Sequence, residues 1–276
     1  MAFDRLDALL QRFSVSAQMF HAGALCGIND FQSTEGCGQL HLIRQGVVEV
    51  RHGSRARVTI EQPSLLFYPR SQRHRLITDK KTGADMACAT VVFNAAASNP
   101  IARALPAIVI MPLSDVEGAA PVLDVLFREA FANAACGRGH VVNRLFEVVL
   151  ILILRTLMNR GTVEEGLLAG MAHPRLAKAL VAIHEAPHQS WSLDQLAAKA
   201  GMSRSHFATV FNQIVRTPPG DYLTCYRISV AQDLLRRGES VKSIAAAVGY
   251  GSTAALSRAF TAVTSQSPRA WKAALM

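Results

Sequence analysis

The sequence predicts an α+β chain of two domains: a strand-rich barrel with a long helical segment behind it, then an all-α domain built on a duplicated helical hairpin. Three observations carry this prediction. Short strand-like runs crowd between Gln39 and Phe93. Beyond Pro112 the runs lengthen to helical size. In the C-terminal third, a pattern of apolar and small residues recurs at an interval of 48 or 49 positions.

The 276 residues suffice for two cored domains. Half of them are hydrophobic and 18% are charged, which excludes a disordered chain. The opening MAFDRLDALL lacks the basic-then-apolar order of a secretory leader. The most apolar run, Val148 to Leu154, is bracketed by Glu147 and Arg155 and falls far short of the roughly 20 residues a bilayer span needs. The expectation is a soluble cytoplasmic protein with no membrane partner.

Leu40 to Val50 reads as a hairpin about Gly46. Arg57 to Ile60, Leu65 to Tyr68, Arg75 to Thr78 and Ala87 to Phe93 follow as short strands, separated by Gly, Pro, Ser and Asp. That density suits a small barrel or sandwich. Val122 to Ala135 and His140 to Arg160 have helical length. The second carries Leu145, Val148, Val149, Leu152 and Met158 and is apolar almost all round at its centre, so it is buried on more than one side. It reads either as a core helix or as a helix between two copies of the chain. Glycines and acidic residues from Asn159 to Gly170 mark a linker. The expected division is therefore 1–160, a linker at 161–172, and 173–276.

The net charge of +9 is unevenly spread. From Gly170 onward there are 12 Lys/Arg against 5 Asp/Glu, whereas the preceding 169 residues hold 17 against 15. A basic module on a near-neutral partner domain is what a polyanion binder needs, although charge alone is equally compatible with a basic solvated surface.

The repeat is more specific. SLDQLAAKAGMSRSHFATVFNQ, from Ser192, is matched by SVKSIAAAVGYGSTAALSRAFTA, from Ser240. Leu193, Leu196, Ala197, Ala200 and Gly201 recur as Val241, Ile244, Ala245, Val248 and Gly249. Phe207, Phe211, Pro219 and Tyr222 recur as Leu256, Phe260, Pro268 and Trp271, with one residue inserted in the second turn. Each copy has the grammar of a helix-turn-helix. A serine caps the first helix. Ala197 and Ala245 allow close approach, and Gly201 and Gly249 supply a left-handed turn. In the first copy Phe207, Val210, Phe211 and Ile214 form the apolar stripe of the following helix. The polar side offers Arg204, Ser205, His206, Thr209, Asn212 and Gln213 as candidates for DNA contact. The second copy offers Ser252, Thr253, Arg258 and Thr261.

On these residues the C-terminal third resembles the AraC/XylS family of bacterial regulators. The family's joining-helix pattern is matched by Tyr222, Arg227, Ala231, Leu234 and Leu235, and its closing signature by Arg258, Phe260, Ser267, Pro268 and Trp271. The resemblance implies two helix-turn-helix units entering adjacent major grooves of an operator, a homodimer, and contact with RNA polymerase, most often as an activator. One departure stands out: Ala254 and Ala255 open the second reading helix, where neither can bond a base edge. Base readout should therefore rest on the first unit, with Arg258 and Thr261 holding phosphates.

The strand-rich half resembles the cupin-like effector domain of one branch of this family, on Gly46 and the run Pro69-Arg-Ser-Gln-Arg-His74, in which Ser71 replaces the cupin glycine. The metal-ligand candidates are His41 and His74. The usual His-x-His pair is missing, so no metal or other cofactor is expected. Five cysteines form no Cys-x-x-Cys pair. Cys88, in ACATVVF, resembles the setting of an oxidant-sensing cysteine in a reactive-chlorine-responsive branch, with Cys26 and Cys37 as partners. The competing readings are a small hydrophobic role for Cys88 and a small organic effector in the barrel. Taken together, the sequence predicts a non-enzymatic, effector-controlled, sequence-specific DNA-binding regulator. The alternatives from other classes are a cupin-type metalloenzyme and a non-specific architectural DNA binder.

Overall fold

A computed structural model describes residues 4–32, 36–52, 56–94, 99–132, 136–161 and 163–274 of the chain. Two compact units emerge. One comprises Val15–Ala96 and Leu105–Arg160; the other comprises Met1–Ser14, Ala97–Ala104 and Gly161–Met276.

The first unit is built on nine strands: β1 (Val15–Leu25), β2 (Ile28–Phe31), β3 (Cys37–Gln45), β4 (Val48–His52), β5 (Ala56–Ile60), β6 (Ser64–Tyr68), β7 (His74–Ile77), β8 (Ala84–Phe93) and β9 (Val109–Pro112). They form two antiparallel sheets, ordered β1-β8-β3-β6-β9 and β2-β7-β4-β5. Ile43, Val50, Leu66, Leu76, Met86 and Cys88 belong to one buried cluster drawn from both sheets, which makes this a cupin-like barrel. The expected hairpin about Gly46 is instead a corner. β3 pairs with β6 and β8, while β4 pairs with β5 and β7, so the chain changes sheet at Gly46. Glycine is needed there twice over: its φ is +99°, and a Cβ would lie 2.8 Å from the Ala84 Cα.

Behind the sheets lie α3 (Ala120–Phe131) and α4 (Arg138–Arg160). The helix expected over 122–135 thus ends earlier, and residues 133–135 lie outside the described ones. α4 covers the edge strand β1, with Asn143 Oδ1 accepting from the Met19 amide at 2.8 Å and Glu147 Oε1 from the Ala17 amide at 3.4 Å. A row of amides that would otherwise invite another strand is thereby partly occupied.

The second unit holds ten helices among the described residues: α1 (Asp7–Arg12), α2 (Pro100–Ala104), α5 (Leu167–Ala172), α6 (Leu176–Glu185), α7 (Leu193–Ala200), α8 (Arg204–Val215), α9 (Pro219–Arg236), α10 (Val241–Ala247), α11 (Thr253–Thr264) and α12 (Pro268–Ala273). Two expectations are corrected here. The stretch read as a linker, 161–172, contains α5, because LLAGMA is apolar enough to demand burial and Leu168 and Met171 are fully enclosed. The first 14 residues and α2, assigned by sequence to the barrel, belong with the helical unit. Leu9 and Phe13 are buried there, and Phe13 meets the edge of Tyr226 at 5.9 Å. Arg5 donates to the Met171 carbonyl at 3.0 Å. No helix among the described residues is long and apolar enough to cross a membrane.

Candidate nucleic-acid interface and barrel interior

The repeat read in sequence is also a repeat of geometry. Ser192 caps α7 through a reciprocal capping box with Gln195. Ser240 caps α10 by accepting from the Ser243 amide at 3.1 Å. Gly201 and Gly249 follow these helices with φ of +60° and +81°. Ser203 and Ser252 then cap the reading helices α8 and α11. Each reading helix ends in a left-handed residue, Arg216 or Ser265. A proline then starts the next helix, and its aromatic residue folds back edge-on: Tyr222 against Phe211 at 5.7 Å, Trp271 against Phe260 at 5.9 Å. The aromatic pairs lock the orientation of each reading helix against the helix that follows it.

Burial sorts the reading helices into two faces. Phe207, Phe211 and Val215 of α8 are buried, as are Leu256 and Phe260 of α11. All ten expected contact residues are exposed: Arg204, Ser205, His206, Thr209, Asn212 and Gln213 on α8, and Ser252, Thr253, Arg258 and Thr261 on or at the start of α11. Three of them carry local commitments. Ser252 Oγ accepts from the Ala255 amide at 3.1 Å, so it serves as a cap first. Thr209 Oγ1 donates to the Ser205 carbonyl at 3.0 Å. Arg204 lies 3.5 Å from Asp194, an exposed pair that is easily exchanged for a phosphate or a base. Neither α8 nor α11 contains an acidic residue.

Arg227, known from sequence only as part of a pattern, stitches the two helix-turn-helix motifs together. From α9 its guanidinium donates to the carbonyls of Pro187 and Gln189 at 2.7 and 2.8 Å and stands 5.6 Å over the Tyr250 ring. Gly249 is the neighbouring constraint: a Cβ there would run into the His188 carbonyl and lie 2.9 Å from Arg227 Nη2. The loop leading into the first helix-turn-helix and the turn of the second are thus fixed to the same helix.

The barrel brings His41 and His74 together from facing sheets, with Nε2 to Nε2 at 2.9 Å. His74 Nδ1 lies 3.0 Å from the Gln72 carbonyl, which can only accept, so the proton of His74 sits on Nδ1. His41 must then donate from Nε2, which leaves its buried Nδ1 a bare acceptor without a partner among the described residues. Burial lowers both imidazoles, His74 to about 4 and His41 well below its usual value, the latter helped by the neighbouring His74. Phe31 and Tyr68 stack on His74, and the Tyr68 hydroxyl is hydrogen-bonded with His52 Nδ1 at 2.8 Å. This set does not fit a metal. The two imidazoles spend their Nε2 atoms on each other, and no group of three His, Cys, Asp or Glu converges among the described residues.

The cysteine geometry does not favour the expected pairings. Cys88 lies opposite His41 on the β3–β8 ladder, and Cys37 lies opposite Val92. Four residues along a strand is about 13 Å, against the roughly 7 Å Cα limit for a disulfide. Cys26 follows Leu25, which pairs with Ala84, and so lies beyond the other end of β8. Cys88 is fully buried, and that burial raises its thiol far above the ordinary range. Joining it to Cys26 or Cys37 requires β8 to leave its register.

Comparison with known proteins agrees with both halves. A cupin family model matches residues 4–159, more than half of the chain, and a helix-turn-helix domain model matches 196–274. An uncharacterized HTH-type transcriptional regulator of Haemophilus influenzae is 37% identical over 153 residues, 55% of this chain and 51% of that protein. The RCS-specific HTH-type transcriptional activator RclR of Escherichia coli is 24% identical over 268 residues, 92% of this chain and 93% of that one. The DNA-binding domain of AdpA, solved with a target DNA, is 32% identical over 37% of this chain and 93% of its own, with a TM-score of 0.36. With the Haemophilus protein and others of like identity, the chain spans about half the length of the relatives it matches. With a cupin ahead of a duplicated helix-turn-helix, the chain belongs to the AraC-type family, in its cupin-bearing branch.

Proposed function

We propose that the protein is a sequence-specific DNA-binding transcription regulator, acting as a homodimeric activator in the bacterial cytoplasm and controlled by a signal received in its N-terminal barrel. The observation that carries this reading is the pair of capped reading helices that expose all ten expected contact residues, contain no acidic residue and are fixed to one joining helix. The first unit supplies direct readout from Arg204, Ser205, His206, Thr209, Asn212 and Gln213. The second holds the backbone through Arg258 and Thr261, because Ala254 and Ala255 occupy the opening turn of α11. Two such units suit adjacent major grooves, about 10 bp apart. With relatives that are regulators and no convergent ligand set among the described residues of the barrel, a metalloenzyme is not favoured.

Dimerisation is assigned to α4. Val141, Leu145, Val148 and Leu152 follow 4-3-4 spacing on the face left half or fully exposed, while Val149 and Met158, grouped with them by sequence, are buried. An oxidant signal through Cys88 remains a second reading, supported by the full-length similarity to RclR, and it requires β8 to open first.

The test is binding of the full chain to the DNA upstream of its own gene and to scrambled DNA at one fixed salt concentration. It is run reduced and hypochlorite-treated, with Cys88→Ser alongside. Specific binding carried by Asn212 and Arg204 is expected, and equal affinity for both DNAs would overturn the reading. An oxidant effect on operator affinity that survives Cys88→Ser would remove that cysteine from the mechanism.

A further inference from the structure

The helical unit contains a cavity that the DNA-reading surface does not use. Its volume is about 220 Å³, and every residue lining it belongs to that unit. Pro100 and Ala104 of α2, Leu167 of α5, and Val215 at the end of α8 provide apolar walls. α9 lines the other side with Tyr222, Cys225, Tyr226 and Ser229. By contrast, the cavity beside Gln39 and Tyr68 in the barrel measures about 10 Å³, room for a single water.

The polar groups around the helical cavity divide into the occupied and the available. The Tyr222 hydroxyl is held to His184 Nε2 at 2.6 Å, the Tyr226 hydroxyl to the His184 carbonyl at 3.3 Å, and Ser229 Oγ to the Cys225 carbonyl at 3.1 Å. Arg103 differs. Its guanidinium makes no ion pair among the described residues, and no Asp or Glu lines the cavity. The nearby Glu165 is engaged by Arg216. An unpaired cation at the rim of a pocket lined otherwise by apolar, aromatic and neutral polar residues, Thr217 and Ser229 among them, is complementary to a compact organic anion.

We infer that this cavity is an effector site for a small monocarboxylate with a compact apolar body, seated among Ala104, Leu167, Val215 and Tyr226 with its carboxylate on Arg103. The site lies outside the barrel, where the sequence resemblance would place an effector, and it does not depend on the DNA-binding reading. Its position gives it leverage. α2 lies in the chain between β8 and β9, and Val215 is the last residue of the reading helix α8. A ligand bridging the two ties the segment that follows β8 to the C-terminal end of α8, whose Ile214 carbonyl accepts from the Gly166 amide beside the same cavity.

The experiment uses the full chain and three probes: 3-phenylpropionate, cyclohexanecarboxylate and 4-methylpentanoate, each with its neutral amide. Binding is followed by calorimetry, and the site is located by mass spectrometry of iodoacetamide labelling. At least one acid should bind and slow labelling of Cys225, leaving the exposed Cys26 and Cys136 unchanged. Its amide, and the acid on Arg103→Gln, should bind about tenfold or more weakly. Absence of binding by all three acids at millimolar concentration overturns the inference. So does binding that leaves Cys225 unprotected, or that is indifferent to Arg103→Gln. Operator affinity of the ligand-free protein is measured on the same samples, so failure of the cavity and failure of the DNA-binding reading register separately.

Discussion

Gly201 and Gly249 hold equivalent places in the two repeats, yet substituting alanine should affect them very differently. Both have left-handed φ, which for alanine costs about 1–2 kcal/mol. At Gly201 nothing else opposes the change, since an added Cβ meets no atom within 4 Å. At Gly249 the Cβ collides with the His188 backbone carbonyl and crowds Arg227 Nη2 at 2.9 Å. Backbone cannot rotate aside as a side chain can, so an overpacking cost of about 1–3 kcal/mol is added. Gly201→Ala should therefore lose about 1–2 kcal/mol and Gly249→Ala about 2–5 kcal/mol. Urea unfolding followed by circular dichroism separates the two, provided the helical unit is resolved from the barrel. Operator binding at a temperature where both variants are folded adds a second arm. Gly201→Ala should bind almost normally. Gly249→Ala should bind weakly, because Arg227 can no longer hold Pro187, Gln189 and Tyr250 at once. Equal losses of stability in the two variants would refute the argument that the His188 carbonyl, and not φ alone, demands glycine.

Other outcomes follow from the same geometry. Arg204→Ala or Asn212→Ala should cost about 1–3 kcal/mol of discrimination between operator and scrambled DNA, whereas Arg258→Ala should weaken both alike and lower the salt slope by about one, as titrations at several salt concentrations would reveal. Val148→Asp should give a monomer by light scattering while circular dichroism stays unchanged, because that side chain is exposed on α4. Phe13→Ala should destabilise the helical unit by about 3–5 kcal/mol through the void it leaves beside Tyr226, measured by the same urea unfolding. Acid should destabilise both units. His74 and His184 titrate in the folded protein at about 4 and about 3 instead of 6.5, so the unfolded chain binds more protons below pH 6.5. Stability is fully present above pH 6.5 and falls as the pH drops toward 4 for the barrel and 3 for the helices. His74→Gln should flatten the barrel's share of that loss in a series of melts.

What could be read from sequence was what is local. The duplicated hairpin, its serine caps and its glycine turns are written within some 25 residues each, and the exposed face of α8 follows from the spacing of Phe207 and Phe211. The features missed are those fixed by distant partners. β1 alternates poorly and is a strand because β8 pairs with it over ten positions and α4 shields its edge. Gly46 looks like any hairpin glycine, and only the ladder partners of β3 and β4 show that it joins two sheets. Residues 161–172 carried glycine and acid signals that masked the apolar LLAGMA. Cys26, Cys37 and Cys88 could be grouped by sequence because separation along β8 is invisible until the register is known. The cavity under Arg103 left no signal, since its walls come from four separate stretches of chain.

The polypeptide changes unit four times, once after Ser14, twice around α2 and once after Arg160. A ribosome therefore releases α1 long before the helices that bury Leu9 and Phe13 exist. The first helix made is among the last to find its place, and it must stay unpaired while the barrel is synthesised. The same weave means that no single protease cut or gene truncation separates the whole helical unit from the barrel unit. A fragment beginning at Gly161 keeps both helix-turn-helix units but loses Leu6, Leu9, Phe13, Ile101 and Ala102 from its interior. Such a fragment should need partners or solubilising changes to behave as the whole chain does.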